Sequence, residues 1–340
     1  MKNRYPRSRQ HGINRQSGFS LVELMVAIAV GLLLVAGLAV LFANSSQSSS
    51  ELDKSIRQME NGRYAVELLS KDIAVAGYYG EVSLAGLTYS SPNACATALS
   101  GLGWDNAIAT VPEPITGLSD SAITALTCLP NQRPGTIGLV VRRLDTVAVA
   151  ATSISDGTPY LQSSRCANST IDLSSINFIF SATGSNFTLR NIDCSTTNSV
   201  RRYVTRVYYV ADCDECGIDT IPTLKRAELV GTQLVVSPLS QGIEKIALDY
   251  GFDTNSSGTP SVFRTSLSGV TGAEDNKWSN VVAVRLYVLS RTTESSAGYS
   301  DGKTYSLGLS GTVGPFTDNF KRRAYATTVR INNVAGLREQ

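Results

Sequence analysis

Six cysteines and one histidine bound the side-chain chemistry open to this chain of 340 residues. Cys213-Asp214-Glu215-Cys216 has the two-residue spacing with which a dithiol cycles to a disulfide in redox enzymes. A reactive thiol needs a setting that favours its thiolate, and redox enzymes supply one where a strand runs into a helix. No such pattern follows Cys216, and Asp212, Asp214 and Glu215 surround the pair with negative charge, which raises a thiol pKa. A structural disulfide is the expected role. Zinc held by four cysteines needs a second close pair, which the sequence lacks. His11 is the sole histidine and lies in a basic N-terminal stretch. If that stretch is removed, a Ser-His-Asp triad, a Cys-His pair and a His-ligated metal all disappear.

Oxygen and cation chemistry is equally thin. Asp212, Asp214, Glu215 and Asp219 could offer oxygens to calcium, but the glycine and closing glutamate of an EF-hand loop are missing. A solvated acidic loop is expected there, and a turn at Asp253-Thr254-Asn255-Ser256-Ser257-Gly258. The doublets Arg142-Arg143, Arg201-Arg202 and Arg322-Arg323 could clasp phosphates. Alternation along a strand exposes one of each pair in any case, so ordinary solvated positions and no nucleic-acid partner are expected. Glycine-rich phosphate loops are absent. No metal, cofactor or catalytic residue is expected.

Composition agrees with a secreted, non-catalytic protein. Apolar residues make up 42% of the chain and charged residues only 17%, which permits a sizeable core under a Ser-, Thr- and Asn-rich surface. The net charge is +2, but Lys2, Arg4, Arg7, Arg9 and Arg15 supply that excess, and the remainder is net acidic. Cys95, Cys128, Cys166, Cys194, Cys213 and Cys216 all follow the apolar segment described next. An even number of cysteines beyond an exported anchor implies disulfides in an oxidising compartment. Six cysteines allow fifteen pairings, and spacing does not choose among them. Neighbours in sequence, Cys95–Cys128, Cys166–Cys194 and Cys213–Cys216, form the working expectation.

The elements that position these groups begin at the N-terminus. Leu24 to Ala43 is a run of 20 residues without charge or proline, long enough as a helix to span the roughly 30 Å core of a bilayer. A basic flank before it obeys the positive-inside rule. A cleavable secretory signal fits poorly, since Asn44-Ser45-Ser46 offers no A-x-A site and the apolar run is long. Glu23 sits at the start of this segment, where a carboxylate needs a partner.

Gly18-Phe19-Ser20-Leu21-Val22-Glu23 resembles the class III signal of type IV prepilins: basic leader, Gly, Phe, then an apolar helix with Glu at its fifth position. The resemblance implies that a prepilin peptidase cleaves between Gly18 and Phe19 and that the Phe19 amine is methylated. It implies that the helix stays as an anchor, and that Glu23 pairs with the Phe19 amine of a neighbouring subunit. Glycine before the cut lets backbone enter a tight site without a side chain in the way.

Leu52, Ile56, Met59, Val66, Leu69 and Ile73 continue a helical stripe. Glu67 and Lys71 form an i,i+4 pair, and Gly77 marks a stop. One helix from about Phe19 to Ala76 is expected, half in membrane and half against a head, interrupted only by Gly62. Glu60-Asn61-Gly62-Arg63-Tyr64-Ala65 and Lys71-Asp72-Ile73-Ala74-Val75-Ala76-Gly77-Tyr78 resemble helix elements of PilW-type minor pilins. The run from Gln241 to Gly251, Trp278-Ser279-Asn280-Val281-Val282-Ala283-Val284-Arg285, and Phe320-Lys321-Arg322-Arg323 with Thr328-Val329 resemble their later strands. The resemblance leaves out roughly residues 80–135 and 150–200.

Strands are expected at residues 137–149, 200–210, 243–252, 281–290 and 320–331. Hairpins are expected at 176–180 with 186–190 around Ala182-Thr183-Gly184-Ser185, and at 224–229 with 233–236. Val282, Val284, Leu286 and Val288 share one strand face, with Arg285 and Tyr287 on the other. Residues 80–135 read as an elaborated loop region. The expected architecture is α+β and pilin-like, a long helix on an antiparallel sheet. Residues 1–18 form the cleaved leader, 19–43 the transmembrane half of the helix, 44–77 its amphipathic half, and 78–340 a β-rich periplasmic head.

The resemblance implies a non-enzymatic minor pilin, held in the inner membrane and then carried into the pilus at the cell surface. Its partners would be the prepilin peptidase, the major pilin, other minor pilins and a tip adhesin. Two alternatives stay open: a minor pseudopilin of type II secretion, and a pilus-displayed adhesin or binding module. Glu23 argues against the tip-most pseudopilin type, which lacks it.

Overall fold

The computed structural model describes residues 18–84, 86–154, 157–168, 178–267 and 277–339. His11 and the leader up to Ser17 lie outside the described residues. The chain divides between Asp53 and Lys54 into two compact units. One helix, α1 (Leu21–Ala74), supplies the first unit and opens the second.

In the first unit the helix is exposed along its apolar length, from Leu21 to Phe42. It is long and apolar enough to cross a membrane. In the second unit α1 buries Gln58, Gly62, Ala65, Leu69, Asp72 and Ile73. This face is rotated from the expected stripe. Leu69 and Ile73 lie in the core, but Leu52 and Ile56 are exposed. Small residues explain the rotation, because Gly62 and Ala65 let strands approach the helix axis more closely than Leu or Ile would. A Cβ on Gly62 would stand 2.3 Å from Cε2 of Tyr325. The glycine therefore seats an aromatic ring, and the interruption read from sequence is a packing device. The helix ends at Gly77, which adopts φ +71° and donates its N–H to the Arg142 carbonyl at 2.9 Å. That left-handed cap favours glycine.

The strands of the second unit are β1 (Thr88–Ser90), β2 (Thr110–Pro112), β3 (Ile115–Leu118), β4 (Gly138–Val149), β5 (Tyr160–Ser163), β6 (Phe178–Ser181), β7 (Val200–Ala211) and β8 (Thr223–Val230). They continue as β9 (Gln233–Gln241), β10 (Ile243–Phe252), β11 (Val262–Arg264), β12 (Val281–Arg291), β13 (Tyr305–Ser306), β14 (Thr312–Val313) and β15 (Arg322–Arg330). Short helices α2 (Asp120–Thr124) and α3 (Asn332–Gly336) complete the set.

Among the described residues these strands build a seven-stranded sheet, β3-β4-β7-β5-β6 with β8 paired to β7 and β9 to β8, a four-stranded sheet, β11-β10-β12-β15, and two small pairs, β1-β2 and β13-β14. The seven-stranded and four-stranded sheets are antiparallel. Leu69 and Ile73 of α1 share one core with Leu139, Val141 and Tyr208 of the larger sheet and Val282, Val284, Leu286 and Val288 of the smaller. Each such side chain contributes about 1.5–3 kcal/mol when fully buried. Period-two alternation sends Val140, Val207 and Tyr209 to the opposite face of the larger sheet, under Ile123 and Leu129. The loop region of 80–135 thus covers a second sheet face. The rear of β12 is covered too, where Leu289 packs with Tyr305 and Leu307.

One expected hairpin is corrected. Phe178–Ser181 pairs with Tyr160–Ser163, and the chain after it makes a short 3-10 turn at Gly184–Asn186 instead of a partner strand. Buried Gln162 explains this: its amide accepts from Leu189 N–H at 2.9 Å and donates to the Asn198 carbonyl at 2.7 Å. Backbone groups that a strand would place in a ladder are met by one side chain. Residues 176 and 177 lie outside the described residues.

Candidate functional site

The N-terminal signal stands open. Phe19 is 89% exposed, and nothing lies within 4 Å of where a Cβ on Gly18 would be. Glu23 has a local partner that the sequence reading missed. Its Oε2 accepts the Ser20 N–H at 3.0 Å, while the Ser20 carbonyl accepts from Leu24 N–H at 3.1 Å. Ser20 and Glu23 are the first and fourth positions of a capping box, whose S-x-x-E signal was readable in the sequence. A helix start leaves backbone N–H groups unpaired, and in hydrocarbon their cost grows. Glu23 therefore meets one such group in the isolated subunit.

The motif elements of the head meet one another. Asp72 of α1, nearly buried, accepts from Arg143 at 3.1 Å, Arg206 at 2.9 Å and the Tyr208 hydroxyl at 2.8 Å. Burial, with Asp72 beside it, pushes the Tyr208 phenol well above its usual range. Glu244 of β10 receives Arg322 of β15 through both oxygens, at 2.5 and 3.0 Å. Trp278 sets its ring edge-on to Tyr250 at 4.7 Å. These side chains tie helix to sheet and strand to strand. The signal that could have found Asp72 was an acid one turn from Leu69 on the helix face that carries Ile73.

The arginine doublets are not ordinary solvated positions. Arg142 is buried and donates to the carbonyls of Glu113 and Pro92 and to the Thr116 hydroxyl. Arg201 donates to the Asp145 and Thr146 carbonyls and stacks over Tyr78, and Arg202 reaches Asp145 and Glu228. Arg322 is enclosed by Glu244, Asp301 and Asp318. Arg323 alone of the six is exposed, lying over Tyr325. Covering elements and partner carboxylates enclose five of the six, while edge strand β15 leaves one face open, where Arg323 reaches water.

The cysteines form Cys95–Cys128, Cys166–Cys194 and Cys213–Cys216. The acids near the last pair are engaged elsewhere: Asp212 with Arg133 at 2.7 Å and Asp214 with Gln241 at 2.7 Å. Asp219 accepts the backbone N–H groups of Ile221, Glu215 and Asp214, which hold its carboxyl below the usual range. Of these acids Asp212 is paired with a cation, while Asp214 and Asp219 are held by neutral donors. Asp253 accepts from the N–H groups of Asn255, Ser257 and Gly258, which makes its loop a turn.

Comparison with known proteins fits this arrangement of signal, helix and head. The prokaryotic N-terminal methylation motif matches residues 13–39. The family model described as Type IV Pilus-assembly protein W matches residues 207–333, from β7 into α3. The chain thus joins a prepilin-type methylation motif at its start to a PilW-like segment in its last two fifths. Its family match contains Glu244, Trp278 and Arg322, the residues that join the smaller sheet internally. No curated protein matches the chain. Among solved structures, a type IV-like pilin, TTHA1219 from Thermus thermophilus, aligns over 82% of this chain and 97% of that one, at 12% identity and a TM-score of 0.35. The methylation motif and the apolar helix point to membrane anchoring and association with a pilus.

Proposed function

We propose that this pilin-like chain is a minor pilin, a structural subunit that primes assembly of a type IV pilus. Before assembly the apolar half of α1 holds it in the inner membrane, with the disulfide-bonded head in the periplasm. A prepilin peptidase cleaves between Gly18 and Phe19 and the new amine is methylated. During assembly Glu23 exchanges the Ser20 N–H for the Phe19 amine of a neighbouring subunit, which brings opposite charges together in a low-dielectric setting. Contacts with the major pilin and other minor pilins then run along the helix.

One observation carries the reading: a methylation motif at the open N-terminus of a helix whose apolar run is wholly exposed. A soluble protein would bury that run; a membrane and then a bundle of like helices supply its cover. Mass spectrometry of the protein from cells with an active peptidase should find N-methyl-Phe19 as the first residue. A chain still beginning at Met1 would overturn the assignment. Gly18→Ala should be cleaved in part, and Gly18→Leu should not be cleaved.

A further inference from the structure

Lys225 of β8 is the group whose placement the proposed pilus role does not use. It stands opposite Tyr209 of β7 and Pro238 of β9 and is 7% exposed. Its ammonium donates to the Asp214 carbonyl at 2.9 Å and lies 3.4 Å from the Cys216 sulfur. Cys216 is exposed, while Cys213 is nearly buried. A buried ammonium is costly unless it finds a strong partner, and a neutral disulfide sulfur is a weak one. A thiolate at the same place would be a strong one.

We propose that Cys213–Cys216 is an exchange site for an external dithiol, with Lys225 stabilising Cys216 as a thiolate once the bond is open. In the first step a thiolate of the dithiol attacks the exposed Cys216 sulfur. The Cys213–Cys216 bond breaks, Cys213 leaves as a thiolate and takes a proton, and a mixed disulfide joins Cys216 to the dithiol. In the second step the other thiol of the dithiol loses its proton and attacks its own partner's sulfur. Cys216 leaves as a thiolate beside Lys225, and the dithiol ends as a cyclic disulfide. Two electrons pass to the pair.

Leaving-group rates rise as the departing thiol becomes more acidic, and a nearby lysine lowers a thiol pKa. Lys225 is the cation in contact with the Cys216 sulfur, among acids that also act on the pair. Asp212 faces Arg133, Asp214 faces Gln241 of β9, and Asp219, capped by backbone N–H groups, lies within electrostatic reach of Lys225. Arg291 of β12 reaches in to the Thr220 carbonyl at 3.4 Å. Glu215 is exposed.

The test uses the full mature chain in detergent micelles, titrated with dithiothreitol at neutral pH, trapped with iodoacetamide and mapped by peptide. Cys213–Cys216 should open at a dithiothreitol concentration about tenfold below that needed for Cys95–Cys128 and Cys166–Cys194. With the pair open, alkylation of Cys216 against pH should show a midpoint at least about one unit below the 8.5 of an ordinary thiol. Lys225→Met should return that midpoint to about 8.5 or above, and Lys225→Arg should keep it low. A wild-type midpoint at or above about 8.5 overturns the proposal by itself, whether or not Lys225→Met folds. So does an unchanged midpoint in a folded Lys225→Met protein, or simultaneous opening of all three disulfides.

Discussion

Glu23 accepts the N–H of Ser20 in the lone subunit and, on the proposed reading, the amine of a neighbour in the fibre. Its substitution separates the two tasks. Glu23→Ala removes the acceptor of the Ser20 N–H and leaves the apolar run that drives insertion. Cleavage and membrane insertion should therefore persist, while co-purification with partner pilins and the number of surface pili fall. Wild-type complex yield and piliation would confine Glu23 to capping. Asp318 offers a residue-scale test by acid. Its hydrogen bond to Arg322 holds its carboxyl below the usual range. A depressed carboxyl contributes stability that is present above the unfolded value of about 3.9 and is lost as pH falls through the folded one. Asp318→Asn should thus be less stable than wild type at neutral pH, and should lose less on moving from pH 5 to pH 3 in denaturant titrations. At this scale the sequence was only partly legible. The nearest-neighbour cysteine pairs are those in the structure. The roles of Asp72, Arg142 and Lys225 depend on which sheet face is covered, and alternation within a strand does not report that.

At the scale of the element, α1 shows how a pattern can be read correctly in kind and wrongly in phase. Its helical nature and its glycine stop were plain in the sequence. The buried face was not, because the strands choose to approach Gly62 and Ala65, residues that carry little hydrophobic signal. Gly62 and Tyr325 make a coupled pair that tests this. In the wild-type background Gly62→Ala should destabilise by about 1–3 kcal/mol, the usual cost of overpacking. In a Tyr325→Ala background the ring is gone, and the same change should stabilise by up to about 1 kcal/mol, the intrinsic helix preference of alanine. A double-mutant cycle by chemical denaturation reads the difference; equal effects in both backgrounds would mean that the ring turns aside freely. Strands β4, β7, β10, β12 and β15 were legible as continuous apolar or alternating runs. The failed hairpin was not, because Gln162 replaces a ladder with side-chain hydrogen bonds and leaves no periodic trace.

At the scale of the whole molecule, the α+β class followed from one long helix ahead of many strands, but the division into two larger sheets did not. Nothing in the order of strands says that β7 branches to β4, β5 and β8. The region of 80–135 looked like loop because it folds over a sheet face with short elements held by a disulfide. That cross-link, Cys95–Cys128, spans 33 residues, and loop-closure entropy gives it about 3–4 kcal/mol. Replacing both cysteines by serine should lower the denaturation midpoint accordingly and expose residues 94–129 to protease first. A drop no larger than that of a surface substitution would mean that packing under Val140 and Val207 suffices. The contact of α1 with the closing strand has a further consequence, for the order in which the head is completed. Gln58 donates to the Lys321 carbonyl, 263 residues along the chain, and Tyr325 covers Gly62 from the same distant strand. On the proposed reading the helix is synthesised and anchored first, and the strand that covers it crosses the membrane long after it. Until then its inner face has no lasting cover, so a stalled or truncated export product is a tethered chain with an open core, recognisable to quality-control proteases before it can enter a fibre.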